Sequence, residues 1–178
     1  MIYVFLADGF EMIEALAPVD MLGRAKLSVK TVGVTGKCVK SSGGVEVVAD
    51  ITTDQVNFAD MDMMILPGGM PGTLNLEADT TVQKSIDYCV ANGKYIAAIC
   101  AAPTILAHKH LLDGKKATVF PTFADDLKAA KYTAGAVETD GLFITARGAG
   151  VCIPFGLKCV EVLTTKQIAQ TIQSQIQS

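Results

Sequence analysis

Apolar residues along the chain come in short runs, each followed by a stretch of helical period. Ile2–Ala7 (IYVFLA) is apolar throughout rather than alternating, the mark of a strand buried on both faces. In Glu11–Ala25 the residues Ile13, Leu16, Ala17 and Met21 recur at helical spacing and predict a helix, which Pro18 should kink or restart. Residues 28–34 (SVKTVGV) read as a second strand. A turn-rich excursion follows, with a third short strand at Val45–Ala49 and Gly43-Gly44 at its turn. Residues 62–69 (DMMILPGG) read as a fourth buried strand ending in a glycine turn. Residues 79–94 form a helix with the stripe Val82, Ile86, Cys89, Val90 and Gly93 as C-cap. Tyr95–Ile99 (YIAAI) is the next strand, and Pro103–Lys115 a helix closing at Gly114. ATVF (117–120) and GLFITA (141–146) add strands. Between them lie a short helix around Ala124–Lys128 and a strand at Ala136–Thr139. Val151–Leu163 is helical, and a last helix from Thr165 carries Ile168, Ile172 and Ile176 as a narrow apolar stripe, laid on the body or on a partner.

Strands alternating with helices give a mostly parallel sheet with helices on both faces, a three-layer α/β sandwich of flavodoxin-like shape. At 178 residues, without repeats or a linker, the chain reads as one domain over residues 1–178. In such sheets the functional crevice lies beyond the carboxyl ends of the strands. Asp8–Glu14, Gly68-Gly69, Cys100 and Arg147-Gly148 all fall at strand ends. That convergence is the strongest functional signal in the pattern.

Composition narrows the function classes. The net charge is −3 and the basic residues are scattered, which argues against nucleic-acid binding. The apolar runs are too short to span a bilayer, and the N-terminus lacks the features of a signal peptide, so the expected location is cytoplasmic. Five cysteines without C-x-x-C spacing argue against a disulfide framework or a zinc site. His108 and His110, two apart, point to different helix faces and make no metal pair. LPGG is not G-x-G-x-x-G and no P-loop lysine follows it, so a nucleotide or flavin binder is disfavoured and no cofactor is expected.

Cys100 sits where YIAAI meets AAPTIL. An abrupt strand-to-helix turn displays its turn residue and needs small neighbours, here Ala98, Ala101 and Ala102. Pro103 fits the first turn of the following helix. Helix dipoles at that N-terminus should favour the thiolate. The stretch by itself equally fits a small buried hydrophobe. Cys89 belongs to a helix stripe, Cys152 and Cys159 share a helix face, and Cys38 lies in a turn region. Cys152, at another strand end, has an alternative role as a resolving thiol for Cys100.

Taken in order, DGFEMIEALAPVD, LPGGMPGTLNL, IAAICAAPTIL and DGLFITARGAG resemble the DJ-1/ThiJ/PfpI superfamily, in the branch of the Parkinson-disease-associated deglycase. The resemblance implies that Cys100 is the reactive cysteine and Glu14 the protonated glutamate that donates to its thiolate. Burial on an apolar helix would raise the Glu14 pKa and make it a donor. The resemblance further implies an oxyanion pocket from the backbone N–H groups of Gly69 and Ala101. It places Arg147 and Arg24 near the pocket or a subunit interface, as substrate or anion contacts. It also implies a homodimer through the first helix, with which ALAPVDML is compatible.

Two positions depart from the pattern. The residue after the cysteine is Ala101, where peptidase-type members carry histidine, so a Cys-His peptidase or amidotransferase lacks its base. Phe120 precedes Pro121 where the deglycase branch often has a histidine. Two functions follow as expectations. One is an enzyme acting on small reactive carbonyls or glycated substrates through a Cys100 hemithioacetal, with Glu14 as proton shuttle. The other is a redox-sensing or chaperone-like protein whose Cys100 is oxidised to sulfinic acid without turnover.

Overall fold

The computed structural model describes residues 1–178. Strand β1 (Ile2–Leu6) is followed by α1 (Met12–Arg24), β2 (Val29–Gly33), β3 (Cys38–Lys40), β4 (Glu46–Val48), β5 (Ile51–Thr52) and β6 (Met63–Leu66). Then come α2 (Gly72–Ala78), α3 (Thr80–Ala91), β7 (Tyr95–Ile99), α4 (Pro103–His108), β8 (Lys116–Ala117) and β9 (Lys131–Tyr132). The chain ends with β10 (Val137–Asp140), β11 (Phe143–Ala146), α5 (Cys152–Leu163) and α6 (Lys166–Gln175). A seven-stranded sheet runs in the order β10-β11-β7-β6-β1-β2-β5, parallel except for the β10 edge.

Both faces of the sheet are covered, which is why β1, β6 and β11 are buried at every residue. Along β1 the side chains alternate: Ile2, Val4 and Leu6 pack with α1, α5 and α6, while Tyr3 and Phe5 pack with α3 and α4. The three-layer sandwich read from the periodicity is therefore the fold.

Several elements differ from the periodic reading. Helix α1 is continuous through Pro18, and its inward face is Glu14, Ala15, Pro18, Met21 and Leu22. Ile13 is 46% exposed, so the helix is rolled to carry Glu14 inward at the expense of an isoleucine. Gly156 on α5 makes this possible, since a Cβ there would lie 3.0 Å from the Pro18 Cα. Val90 is exposed on α3 and Ile168 on α6; Ala169 and Ile172 carry the α6 contact instead. Helix α4 stops at His108, before His110 turns to positive φ. The strand expected at ATVF shrinks to Lys116–Ala117, because the Thr118 N–H donates to Thr145 Oγ1 at 3.0 Å rather than to a strand neighbour. Helix α2 and strands β3, β5 and β9 had no readable period; β3, β5 and β9 are two or three residues long, and α2 has seven residues.

Candidate active site

The carboxyl ends of adjacent strands β1, β6, β7 and β11 bring the four sequence features together. Cys100 leaves β7 with φ of 63°, the left-handed region that a non-glycine residue occupies only under constraint. Its N–H donates to the Ala146 carbonyl at 2.9 Å, and its carbonyl accepts the Phe120 N–H at 2.8 Å. Neighbouring loops thus hold the elbow from both sides. Pro103 opens α4, and Ala101 and Ala102 are buried, as small residues at a tight turn should be.

Glu14 is fully buried. Its Oε2 accepts the Gly68 N–H at 2.9 Å. Oε1 is buried without a formed hydrogen bond. The carboxyl is coupled directly to the Cys100 thiol. A buried acceptor without a partner is costly in a purely structural role. It is expected of a group that holds or passes a proton. Burial pushes the Glu14 pKa up from its usual 4.5 to about 7, against the Cys100 and Gly68 contacts that lower it.

The thiol does not follow the helix-dipole expectation. Burial, then the charge of Glu14, pushes Cys100 up to about 12, and the backbone N–H groups of Ala101 and Gly69 only partly oppose this. Helix α4 has six residues and a correspondingly weak dipole effect. Burial is the larger cause, and the charge of an ionised Glu14 adds to it. A protonated Glu14 removes that repulsion and offers an O–H to the sulfur, so the two groups titrate as a pair.

Gly69 and Ala101, the expected oxyanion donors, both direct N–H groups at Cys100. Gly69 has φ of 89°, and a Cβ on Gly68 would stand 2.7 Å from the Cys100 Cβ and 2.8 Å from Glu14 Oε2. Only glycines let this turn approach so closely. Beside the thiol is a cavity of about 380 Å³ lined by Phe120, Pro121, Arg147, Gly148, Ala149, Gly150 and Val151. A Cβ on Gly148 would lie 3.2 Å from the Phe120 ring and 4.0 Å from Cys100 Sγ, which locates the cavity against the sulfur. Arg147 stands exposed on its wall and donates to the Ala134 carbonyl at 3.4 Å, without a carboxylate partner.

Arg24 does not join this site. It lies at the far end of α1, about 15 Å from Glu14 at the helical rise of roughly 1.5 Å per residue, and pairs with Asp20 at 2.8 Å. Cys152 is buried at the start of α5, and the charges of Glu14 and Glu11 act on it after burial. Cys89 and Cys159 are buried and Cys38 is exposed on β3. His108 meets Glu77 and His110 meets Asp113, both away from the elbow. The side chains form no group of His, Cys, Asp and Glu able to hold a metal. Glu11 was not among the expected site residues. It is the N-cap of α1, its carboxylate accepting the Glu14 N–H at 2.9 Å. The E-x-x-E spacing was the available signal.

Comparison with known proteins gives a consistent result. The model of the DJ-1/PfpI family matches residues 1–162. Protein DJ-1 homolog A of Arabidopsis thaliana is 34% identical over 173 residues, 95% of this chain and 44% of that protein. The chain thus spans less than half the length of that plant relative. Glutathione-independent glyoxalase DJR-1.2 of Caenorhabditis elegans is 32% identical over 155 residues, covering 86% of this chain and 82% of its own. The solved structure of oxidized Toxoplasma gondii DJ-1 superimposes with a TM-score of 0.93 at 35% identity, over 98% of this chain and 96% of that one. By sequence and by fold, the chain belongs to the DJ-1/PfpI family.

Proposed function

We propose that the protein converts small reactive carbonyls, such as methylglyoxal, to hydroxy acids through Cys100. The observation that carries this reading is the coupling of a displayed, strained cysteine to a buried carboxyl with a free oxygen, beside an open cavity. The similarity to a protein named as a glutathione-independent glyoxalase supports it.

The Cys100 sulfur adds to the aldehyde carbon, and the carbonyl oxygen takes the proton held by Glu14, giving a hemithioacetal. The ionised Glu14 removes the proton from that carbon and returns it to the neighbouring one through an enediol. Water releases the resulting thioester as lactate and restores the thiol. Methylglyoxal and water sum to lactate, so no cofactor is needed. The N–H groups of Gly69 and Ala101 stabilise the developing oxyanion. Arg147, unpaired on the cavity wall, attracts an anionic substrate group. A hemithioacetal or hemiaminal of methylglyoxal reverts to the free thiol or amine and the aldehyde, and removal of that aldehyde by the same addition would draw the reversal forward. Lactate formation lost in Cys100→Ala tests the reading.

One observation favours a second reading, in which Cys100 is oxidised to sulfinic acid and signals without turnover. Phe120 stands at the cavity where a histidine base would serve carbonyl chemistry. Partners belong to the proposal as well: a homodimer through α1, whose Ile13 is exposed while much of ALAPVDML is buried within the chain. No helix is long and apolar enough to cross a membrane.

A further inference from the structure

The peptide joining Gly68 and Gly69 has two ends with different partners. Its carbonyl accepts the Glu11 N–H at 2.9 Å. Its N–H, on Gly69, faces the Cys100 sulfur. Because the peptide is a rigid plane, fixing the carbonyl fixes the direction of the N–H. The preceding N–H, on Gly68, donates to Glu14 Oε2 at 2.9 Å. The circuit closes through the side chain of Glu11, whose Oε2 accepts the Glu14 N–H at 2.9 Å. Glu11 therefore touches both halves of the site, the oxyanion donor through its backbone and the proton carrier through its carboxylate.

Glutamate is an unusual choice for this position. Ser, Thr, Asp and Asn are the preferred N-caps, because their short side chains reach the first-turn N–H groups with little loss of freedom. A longer side chain with a full charge suggests a task beyond capping.

We propose that the Glu11 carboxylate is the positioning group of the Cys100–Glu14 pair, fixing the first turn of α1 through the Glu14 N–H and holding a negative charge on the turn that carries the Glu14 carboxyl. The proposal rests on the reading of Glu14 as the proton carrier for Cys100. A negative neighbour disfavours the ionised carboxyl, and the Glu11 charge acts on Glu14 in that direction. The groups that act on Glu14 are Cys100 from the elbow, the Gly68 N–H from the loop after β6, and Glu11 from its own helix. Cys152, on α5, feels the charges of both carboxylates. A proton kept on Glu14 takes its negative charge away from the sulfur and relieves the repulsion that opposes the thiolate. Glu11 thus biases where the shared proton sits without meeting substrate.

The test is the pH dependence of Cys100 alkylation by iodoacetamide in the full chain, measured for the parent, Glu11→Gln, Glu11→Asp and Glu14→Gln. Glu11→Gln keeps an acceptor for the Glu14 N–H and loses only the charge. It is expected to move the lower midpoint of the profile to lower pH. It should also slow alkylation at neutral pH by roughly threefold or more, the effect of about half a pKa unit. Glu11→Asp keeps charge and cap, and should return the profile to that of the parent. Profiles of Glu11→Gln that superimpose on the parent overturn the proposal. So do equal displacements in Glu11→Gln and Glu11→Asp, which would mean that the residue only supports the helix end. A profile indifferent to Glu14→Gln overturns the reading of Glu14 itself, whereas a response to Glu14→Gln with none to Glu11→Gln removes only the role of Glu11.

Discussion

The backbone N–H of Phe120 donates to the carbonyl of Cys100 at 2.8 Å, so the residue that faces the cavity is tied to the nucleophile elbow. Its ring stands 42% exposed on the cavity wall, close to Gly148 and the sulfur. The position is structurally ready for a base and carries a hydrocarbon instead.

Phe120→His should therefore raise carbonyl turnover. A positioned imidazole contributes about a hundredfold or more in favourable general acid–base catalysis. The ring is on the rim rather than enclosed, so an increase of about tenfold in kcat/KM is expected. Lactate production from methylglyoxal at pH 7 measures it, with thermal melting as the check that the fold is unchanged.

Gly68→Ala should damage the site from its centre. The added Cβ would press on the Cys100 Cβ, on Glu14 Oε2 and, at 3.0 Å, on the Ala101 nitrogen. Overpacking of this kind destabilises by about 1–3 kcal/mol. Urea unfolding gives that loss, and alkylation of Cys100 should lose the lower midpoint of its pH profile in the same variant as the Glu14 contact breaks.

The buried carboxyl of Glu14 should leave a signature in stability. Its folded pKa is raised from about 4.5 to about 7. Below pH 4.5 both folded and unfolded chains hold the proton and nothing is lost. Between pH 4.5 and 7 the unfolded chain releases it first, so stability falls as pH rises. Above pH 7 the loss is complete, at roughly 3 kcal/mol. Glu14→Gln does not titrate. Its stability relative to the parent should therefore improve on going from pH 5 to pH 8, as followed by urea unfolding at the two values.

Oxidation should be selective. Cys89, Cys152 and Cys159 are buried, whereas Cys100 is only half-buried and lies beside the cavity. Cys38 is exposed but lacks a carboxyl partner of the Glu14 kind. Mild peroxide should add about 32 Da, two oxygens, at Cys100 alone. Peptide mass spectrometry checks this, and a spread over all the cysteines would remove the redox reading.

The layers of the fold were legible because β1, β6 and β7 are short apolar runs between helical periods, the pattern expected of a sheet covered on both faces. The strand ends then pointed to Glu14, Gly69, Cys100 and Arg147, and the structure brings these to one place. Arg24 falls outside the pocket because a residue at the far end of a helix shares its sequence neighbourhood with Glu14 but not its end of the sheet. The roll of α1 was hidden because Ile13 satisfies a helical stripe as well as Glu14 does, and the position of Gly156 on a distant helix decides between them. The titration of the thiol was misjudged for a similar reason. The dipole is local and readable, whereas burial and the charge of Glu14 come from tertiary packing.

The most direct measurement is lactate formation from methylglyoxal by the parent protein, Cys100→Ala and Glu14→Gln, without glutathione. The mechanism predicts turnover in the parent, none above background in Cys100→Ala, and a loss of at least about a hundredfold in Glu14→Gln, the lower end of the range for a general acid–base group. Lactate formation that persists in Cys100→Ala, or its absence in the parent, would contradict the account.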